Sequence, residues 1–263
     1  MGRNLIIFFL FLLNILNLYA GPVSEYYVVD WYQEGLKVIQ GNSVIRSWTN
    51  AGTDELAIVV DGLVRTFPYN TAGKYGAEYD LNGNPSGTTY SNDGRSGWGL
   101  HDGTTDGTYY YAFGWYTQKV YRFNTDWSNP QEMFASTAGE MLGITYDPSD
   151  NTLWLSGYRN AKIAHYKMDG TLLETFSIAD SRTGALALDH ADQTLWYYAY
   201  DSKELHQYSR SGALLEKMSA TGLGSDFWGG EFDYSLTSNI PEPYSCLLLL
   251  LGMVAFFVKK LSK

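Results

Sequence analysis

Cysteine is all but missing from this chain: of 263 residues, only Cys246 carries a thiol. No disulfide can therefore form within one copy, and cysteine usage says nothing about an oxidising compartment. Charge is scarce as well, at 17% of residues, and bases are scarcer than acids. Residues 21–240 hold 27 Asp and Glu against 14 Lys and Arg, a net −13, which makes nucleic acid and anionic membrane surfaces poor partners for that region. The four histidines, His101, His165, His190 and His206, lack zinc-like spacing, and there is no Gly-x-Ser-x-Gly or phosphate-cradling loop. No metal, cofactor or catalytic residue is expected on these grounds. Aromatic residues are plentiful instead: 8 Trp, 22 Tyr and 12 Phe, with 27 Gly and 45% hydrophobic residues. That is the reverse of a disordered composition, and the chain is long enough to build a large core.

The two ends read as targeting segments and not as fold. Arg3 precedes a Leu/Ile/Phe-rich run over residues 5–18, and Ala20-Gly21 offers a small-residue junction. A run that short with a basic start fits a secretory signal peptide, residues 1–20, helical and cut between Ala20 and Gly21 by signal peptidase. At the other end Pro241-Glu242-Pro243 is followed by a mostly apolar stretch to Val258 and then by Lys259, Lys260 and Lys263. Fifteen helical residues span about 22 Å, enough to cross a bilayer if the lysines reach to the far face. Positive charge on that side keeps this end in the cytoplasm and the bulk of the protein outside. Cys246 lies in this stretch and reads as a small hydrophobe.

The triplet, the hydrophobic segment and the terminal basic cluster resemble the PEP-CTERM sorting tail of Gram-negative bacteria, over residues 241–263, with lysines where that tail customarily has arginines. The resemblance implies recognition by an exosortase, membrane residence of the precursor through this segment, and release or transfer near Pro241-Glu242-Pro243. The destination it implies is the cell envelope, cell surface or extracellular matrix.

The middle of the chain repeats itself. Asp147, Thr152, Leu153, Trp154, Tyr166 and Gly170 each recur 42 residues on, as Asp189, Thr194, Leu195, Trp196, Tyr208 and Gly212. Weaker copies precede them. One unit reads as four short strands, residues 142–147, 152–158, 162–168 and 172–178, with Asp147-Pro148 opening one turn and Asp169-Gly170 marking a hairpin of the primed type. Four strands in about 42 residues is the period of a β-propeller blade. First strands ending at Asp61, Asp102, Asp147, Asp189 and Asp233 are spaced 41, 45, 42 and 44 apart. The last unit has one strand, and residues 26–29, 36–39 and 43–48 supply three without a first strand. Together they complete one blade and hide its edges. The expected fold is all-β, a five-bladed propeller over residues 21–240, with six blades as the fallback. The repeated residues resemble those of secreted NHL-type and regucalcin-like propellers over three of the blades, which supports the fold and implies no activity.

The repeated aspartates are expected to accept hydrogen bonds from their own turns. Asp80-Leu81-Asn82-Gly83-Asn84 imitates the start of a calcium loop, but Pro85 stands where glycine is required and Ser91 where glutamate is, so a hairpin is expected. Residues 91–98 nearly match a sialidase-type Asp-box and read as a turn. His101-Asp102 is the one histidine–acid pair to weigh. The aromatics of Tyr109-Tyr110-Tyr111 and Trp196-Tyr197-Tyr198 alternate between the two faces of their strands, one packing between blades and the other serving as core or platform. Trp115-Tyr116 replaces Tyr158-Arg159 and Tyr200-Asp201 of the neighbouring units, so Trp115 and Tyr116, beside His101 and Asp106, are the ligand-binding candidates. Exposed rings beside acids and amides stack on sugars, so the function expected is an exported, surface- or matrix-associated module binding extracellular polysaccharide. The competing reading is a hydrolase or lyase acting on glycans, esters or lactones through acids at the channel mouth.

Overall fold

The computed structural model describes residues 21–92, 94–224 and 226–239. Both targeting segments lie outside these residues. Strands β1 (Tyr26–Asp30), β2 (Gly35–Gln40) and β3 (Ser43–Thr49) come first, and each later sheet is a run of four consecutive strands. Blade 1 is β4 (Glu55–Val60), β5 (Val64–Pro68), β6 (Tyr75–Tyr79) and β7 (Pro85–Ser91). Blade 2 is β8 (Leu100–Thr105), β9 (Tyr110–Gly114), β10 (Lys119–Phe123) and β11 (Gln131–Ala135). Blade 3 is β12 (Met141–Asp147), β13 (Thr152–Gly157), β14 (Lys162–Lys167) and β15 (Leu172–Ser177). Blade 4 is β16 (Thr183–Asp189), β17 (Thr194–Ala199), β18 (Glu204–Ser209) and β19 (Leu214–Ser219). The last strand, β20 (Phe227–Phe232), pairs antiparallel with β1, so blade 5 runs β20-β1-β2-β3. The protein is a five-bladed all-β propeller closed by a composite blade.

The core is divided among the interfaces, one apolar cluster to each. Tyr27, Val29 and Leu36 of blade 5 meet Leu56, Ile58 and Val60 of blade 1, and Ala57, Val59 and Phe67 of blade 1 meet Tyr110, Ala112 and Phe123 of blade 2. Alternation along each strand feeds both neighbours: Tyr110 enters the interface with blade 1 and Tyr111 the one with blade 3, while Tyr197 and the pair Trp196 and Tyr198 separate likewise. Both faces of these strands are therefore core, and neither is left as a platform.

Two sequence expectations need correcting. The strand of blade 2 does not end at Asp102; it continues to Thr105, and Asp106 follows it. Asp106 then accepts from its own turn, at Thr108 N (2.7 Å), as Asp147 does from Ser149 N and Asp189 from Ala191 N. The Asp169-Gly170 hairpin is also not a primed two-residue turn. Gly170 alone has positive φ (86°), and Lys167 N bonds Thr171 O, which makes a longer loop with glycine in the left-handed position. Gly83 and Gly212 close blades 1 and 4 in the same way, and the Asp80 loop is such a hairpin, with Asp80 Oδ1 accepting from Asn82 N and Asn84 N at 2.9 Å.

Asp102 plugs the channel. Its carboxylate accepts N–H bonds from Gly103 (3.0 Å), Ile144 (3.2 Å), Leu186 (3.0 Å) and Gly230 (2.9 Å), reaching the inner strands of blades 2 to 5. Four residues before each strand-ending aspartate the other blades carry Ala57, Gly143, Ala185 and Gly229, small enough to admit it. A Cβ on Gly143 would stand 3.3 Å from Asp102 Oδ2. Glu231 lies next in the channel, accepting from Thr145 Oγ1 (3.3 Å) and Phe232 N (3.0 Å). Burial pushes both carboxyls up, Glu231 to about 8, and the Glu231 charge adds to the rise at Asp102 against its backbone donors.

Candidate ligand-binding site at the channel mouth

In every blade the first residue after the second strand is aromatic: Trp31 after β1, Tyr69 after β5, Trp115 after β9, Tyr158 after β13 and Tyr200 after β17. Each is tied down alike. Its backbone N–H donates to the carbonyl just before the first strand of its blade, at Asp226, Asp54, Gly99, Glu140 and Arg182, over 2.8–3.1 Å. A hydrogen bond repeated around the ring sets five half-buried rings at one level, a crown at the end where the first strands begin.

Beneath the crown, the pairing of each first strand with its neighbour is interrupted by a bulge, which re-aims the unpaired residue. The residues left out of the ladder are Leu56 in blade 1, His101 in blade 2, Leu142 in blade 3 and Trp228 in blade 5, with Ala185-Leu186 in blade 4. His101 and Trp228 thus turn toward the mouth. The His101 ring lies 4.5 Å from Tyr69, 5.2 Å from Trp228 and, edge-on, 5.9 Å from Trp115. Trp228 continues the contact to Tyr200 (5.2 Å) and Tyr158 (6.2 Å). A cavity of about 270 Å³ opens here, lined by Trp31, Tyr32, Leu56, Tyr69, His101, Tyr200, Asp226 and Trp228.

His101 is only 8% exposed, yet neither ring nitrogen has a hydrogen-bond partner among the described residues. Burial holds its pKa down at about 3, so the ring is neutral at ordinary pH, with one nitrogen to donate and one to accept. The crown is braced from outside by cations: Lys203 Nζ stands 4.0 Å from the Tyr200 centroid and 3.2 Å from Asp226, and the Arg182 guanidinium 4.5 Å from Tyr200.

Three of the four candidates from the sequence meet in this site. Trp115 is half-buried in the crown, Tyr116 is 52% exposed on its rim with its hydroxyl 2.9 Å from that of Tyr69, and His101 lies below them. Asp106 does not join them. It follows the far end of β8, about 17 Å along the strand, where it accepts from Tyr111 Oη (2.6 Å) and its own turn. Nor do His101 and Asp102 pair, because the carboxylate is spent on backbone N–H groups. Sequence reasoning missed Trp31, Tyr69, Tyr158, Tyr200 and Trp228. The signal was an aromatic one step past the second strand of each unit, visible only once the strands are aligned. His165, stacked on Trp154 at 3.7 Å, and His206, bonded to Tyr197 Oη at 3.0 Å, are elsewhere in their blades, and His190 lies near Tyr234 at the other mouth.

A propeller with an aromatic-crowned mouth is the class of protein that fold and site define. No family model matches the chain, and no curated protein matches it. Among solved structures, a chain of a nidogen–laminin complex is similar at a TM-score of 0.53 and 12% identity, covering 81% of this chain and 99% of that one. A catalytically inactive virginiamycin B lyase from Staphylococcus aureus with quinupristin is similar at 0.48 and 15% identity, covering 73% and 68%. A functionally unknown protein from Desulfotomaculum acetoxidans is similar at 0.49 and 10% identity, covering 78% and 99%. At these identities the likeness is one of fold.

Proposed function

We propose that this protein is an exported β-propeller that binds extracellular polysaccharide at the crowned mouth. The observation that carries the reading is the convergence of crown and bulge rings on a neutral, unpartnered, buried imidazole inside a cavity. A pyranose offers apolar C–H faces that stack on such rings, and its hydroxyls match an imidazole able both to donate and to accept. Asp102 and Glu231, in the channel, are 0% and 2% exposed and saturated by backbone and hydroxyl donors, and Asp226, the acid that lines the cavity, is ion-paired with Lys203 at 3.2 Å, so among the described residues lining the cavity the hydrolase or lyase reading finds no unpaired carboxylate.

Export and sorting rest on the ends of the sequence: a signal peptide cut at Ala20-Gly21, and a PEP-CTERM-like tail of Pro241-Glu242-Pro243, an apolar segment and Lys259, Lys260 and Lys263. Signal peptidase and an exosortase are the processing partners in this reading, and the membrane holds the precursor. The crown would then face outward. Residues 234–239 form a 3-10 helix over the opposite mouth, where Tyr234 packs against Tyr146 and His190, so the chain sets off toward the tail from the side away from the crown.

An array of bacterial and plant polysaccharides probed with the full-length chain tests the reading. Binding to at least one glycan, lost when Trp115 and Trp228 are both changed to Ala, is the expected result. Binding to none would sink it.

A further inference from the structure

From the crown a groove of about 390 Å³ runs outward between blades 5 and 1, sharing Trp31 and Tyr32 with the cavity at the mouth. Tyr32 is 72% exposed, a ring on the path a polymer would take as it leaves His101 and Tyr69. Beyond it the groove is lined by Glu34, Asn50 and Asp54. Asn50 Oδ1 is buried without a hydrogen-bond partner among the described residues. Neither Glu34 nor Asp54 has a side-chain hydrogen bond or an ion pair there. Lys74 also lines the groove, and Glu55 lies under it with its carboxylate occupied by Tyr79 Oη at 2.8 Å. The open acids therefore outnumber the one base.

We propose that this groove is a second saccharide subsite and that it selects a sugar carrying a free amine. The assignment rests on the saccharide reading of the crown and adds the class of sugar. A neutral hexose stacked on Tyr32 would bring Glu34 and Asp54 out of water with only Lys74 in the lining to meet two carboxylates, and a uronic acid would add like charge. A protonated amino group answers both carboxylates and can donate as well to Asn50 Oδ1. The domain's net −13 draws such a cationic polymer toward the site.

The test is calorimetric titration of the full-length chain, slightly below neutral pH, with a glucosamine tetramer and with its fully N-acetylated counterpart. The amine form should bind roughly tenfold more tightly, as two partly exposed ion pairs allow. The preference should shrink at high salt and fall to within about twofold when Asp54→Asn and Glu34→Gln are combined. Both positions have positive φ (65° at Asp54 and 46° at Glu34); asparagine tolerates that region as aspartate does, and glutamine keeps the shape of the glutamate it replaces, so the backbone should keep its course. Trp115→Ala, in the crown, should weaken both oligomers alike. Equal affinity for the two forms, or a preference that survives the double substitution, overturns the groove assignment while leaving the crown reading intact. If neither oligomer binds the unaltered chain, the groove assignment is overturned, while the crown reading stands or falls with the polysaccharide array.

Discussion

Asp102 is a single side chain on which the inner strands of four blades converge, and its environment decides what a substitution there does. Asn at this position would keep one carbonyl oxygen but turn an NH₂ group against inward-pointing N–H donors, stranding buried polar groups. Asp102→Asn should cost about 3 kcal/mol or more in chemical denaturation, against less than about 1 kcal/mol for Tyr116→Ala on the exposed rim. Equal costs would mean the carboxylate is not the hub. Glu231 supplies a pH dependence with a definite sign. Its folded pKa is raised by burial to about 8, so the folded state keeps a proton that the unfolded state gives up from about pH 4.5. Its contribution is fully present below the unfolded value and is lost as pH rises toward 8. Melting of the wild type should fall between pH 5 and pH 8 more steeply than that of Glu231→Gln; parallel curves would show that Glu231 is ionised throughout. The sequence showed both acids but not their roles, because Asp102 followed Leu-His at the spacing expected of a strand-ending aspartate. Only the inward direction of its side chain tells a channel plug from a turn residue.

At the scale of strands and turns, blades 3 and 4 were legible because they align without a gap and share strand residues and turn glycines. Blade 2 was not, and Trp127 is one reason. It takes the loop position that Gly83, Gly170 and Gly212 hold in blades 1, 3 and 4, with φ at 59° and the same hydrogen bond back to the strand end. A left-handed tryptophan costs on the order of 1 kcal/mol, which its burial offsets: the ring is 1% exposed and packs within about 5 Å of Phe67, Tyr110 and Phe123. Trp127→Gly should therefore relax the backbone yet lower stability by about 3 kcal/mol, as loss of a buried ring does. A neutral or stabilising result would mean that the loop conformation, and not the ring, governs this interface. The crown was hidden for a similar reason. Its rings sit one residue beyond the second strands, and strand ends are where sequence patterns are least sharp, so Trp115-Tyr116 stood out while Tyr158 fell within its strand, Tyr200 was only its counterpart one unit on, and Trp31 and Tyr69 were not singled out.

For the whole molecule, closure is the property that the repeats foretold: one C-terminal and three N-terminal strands share a sheet, and β20 both seals the ring and carries Trp228 into the mouth. Closure is complete at Phe232, and the following 3-10 helix caps the far mouth, so deleting residues 241–263 should leave a folded protein with unchanged melting and no membrane association. A truncated chain that aggregates would place part of the fold in the tail. The central claim is that the crown is the binding surface. It is tested most directly by measuring polysaccharide affinity of the full-length chain beside two variants: Trp115→Ala with Tyr116→Ala at the crown, and Tyr234→Ala at the opposite mouth. The crown variant should bind at least about tenfold more weakly while losing no more than about 1–2 kcal/mol of stability, and the Tyr234 variant should bind as the wild type does. Full affinity in the crown variant, or loss confined to the Tyr234 variant, would contradict the account.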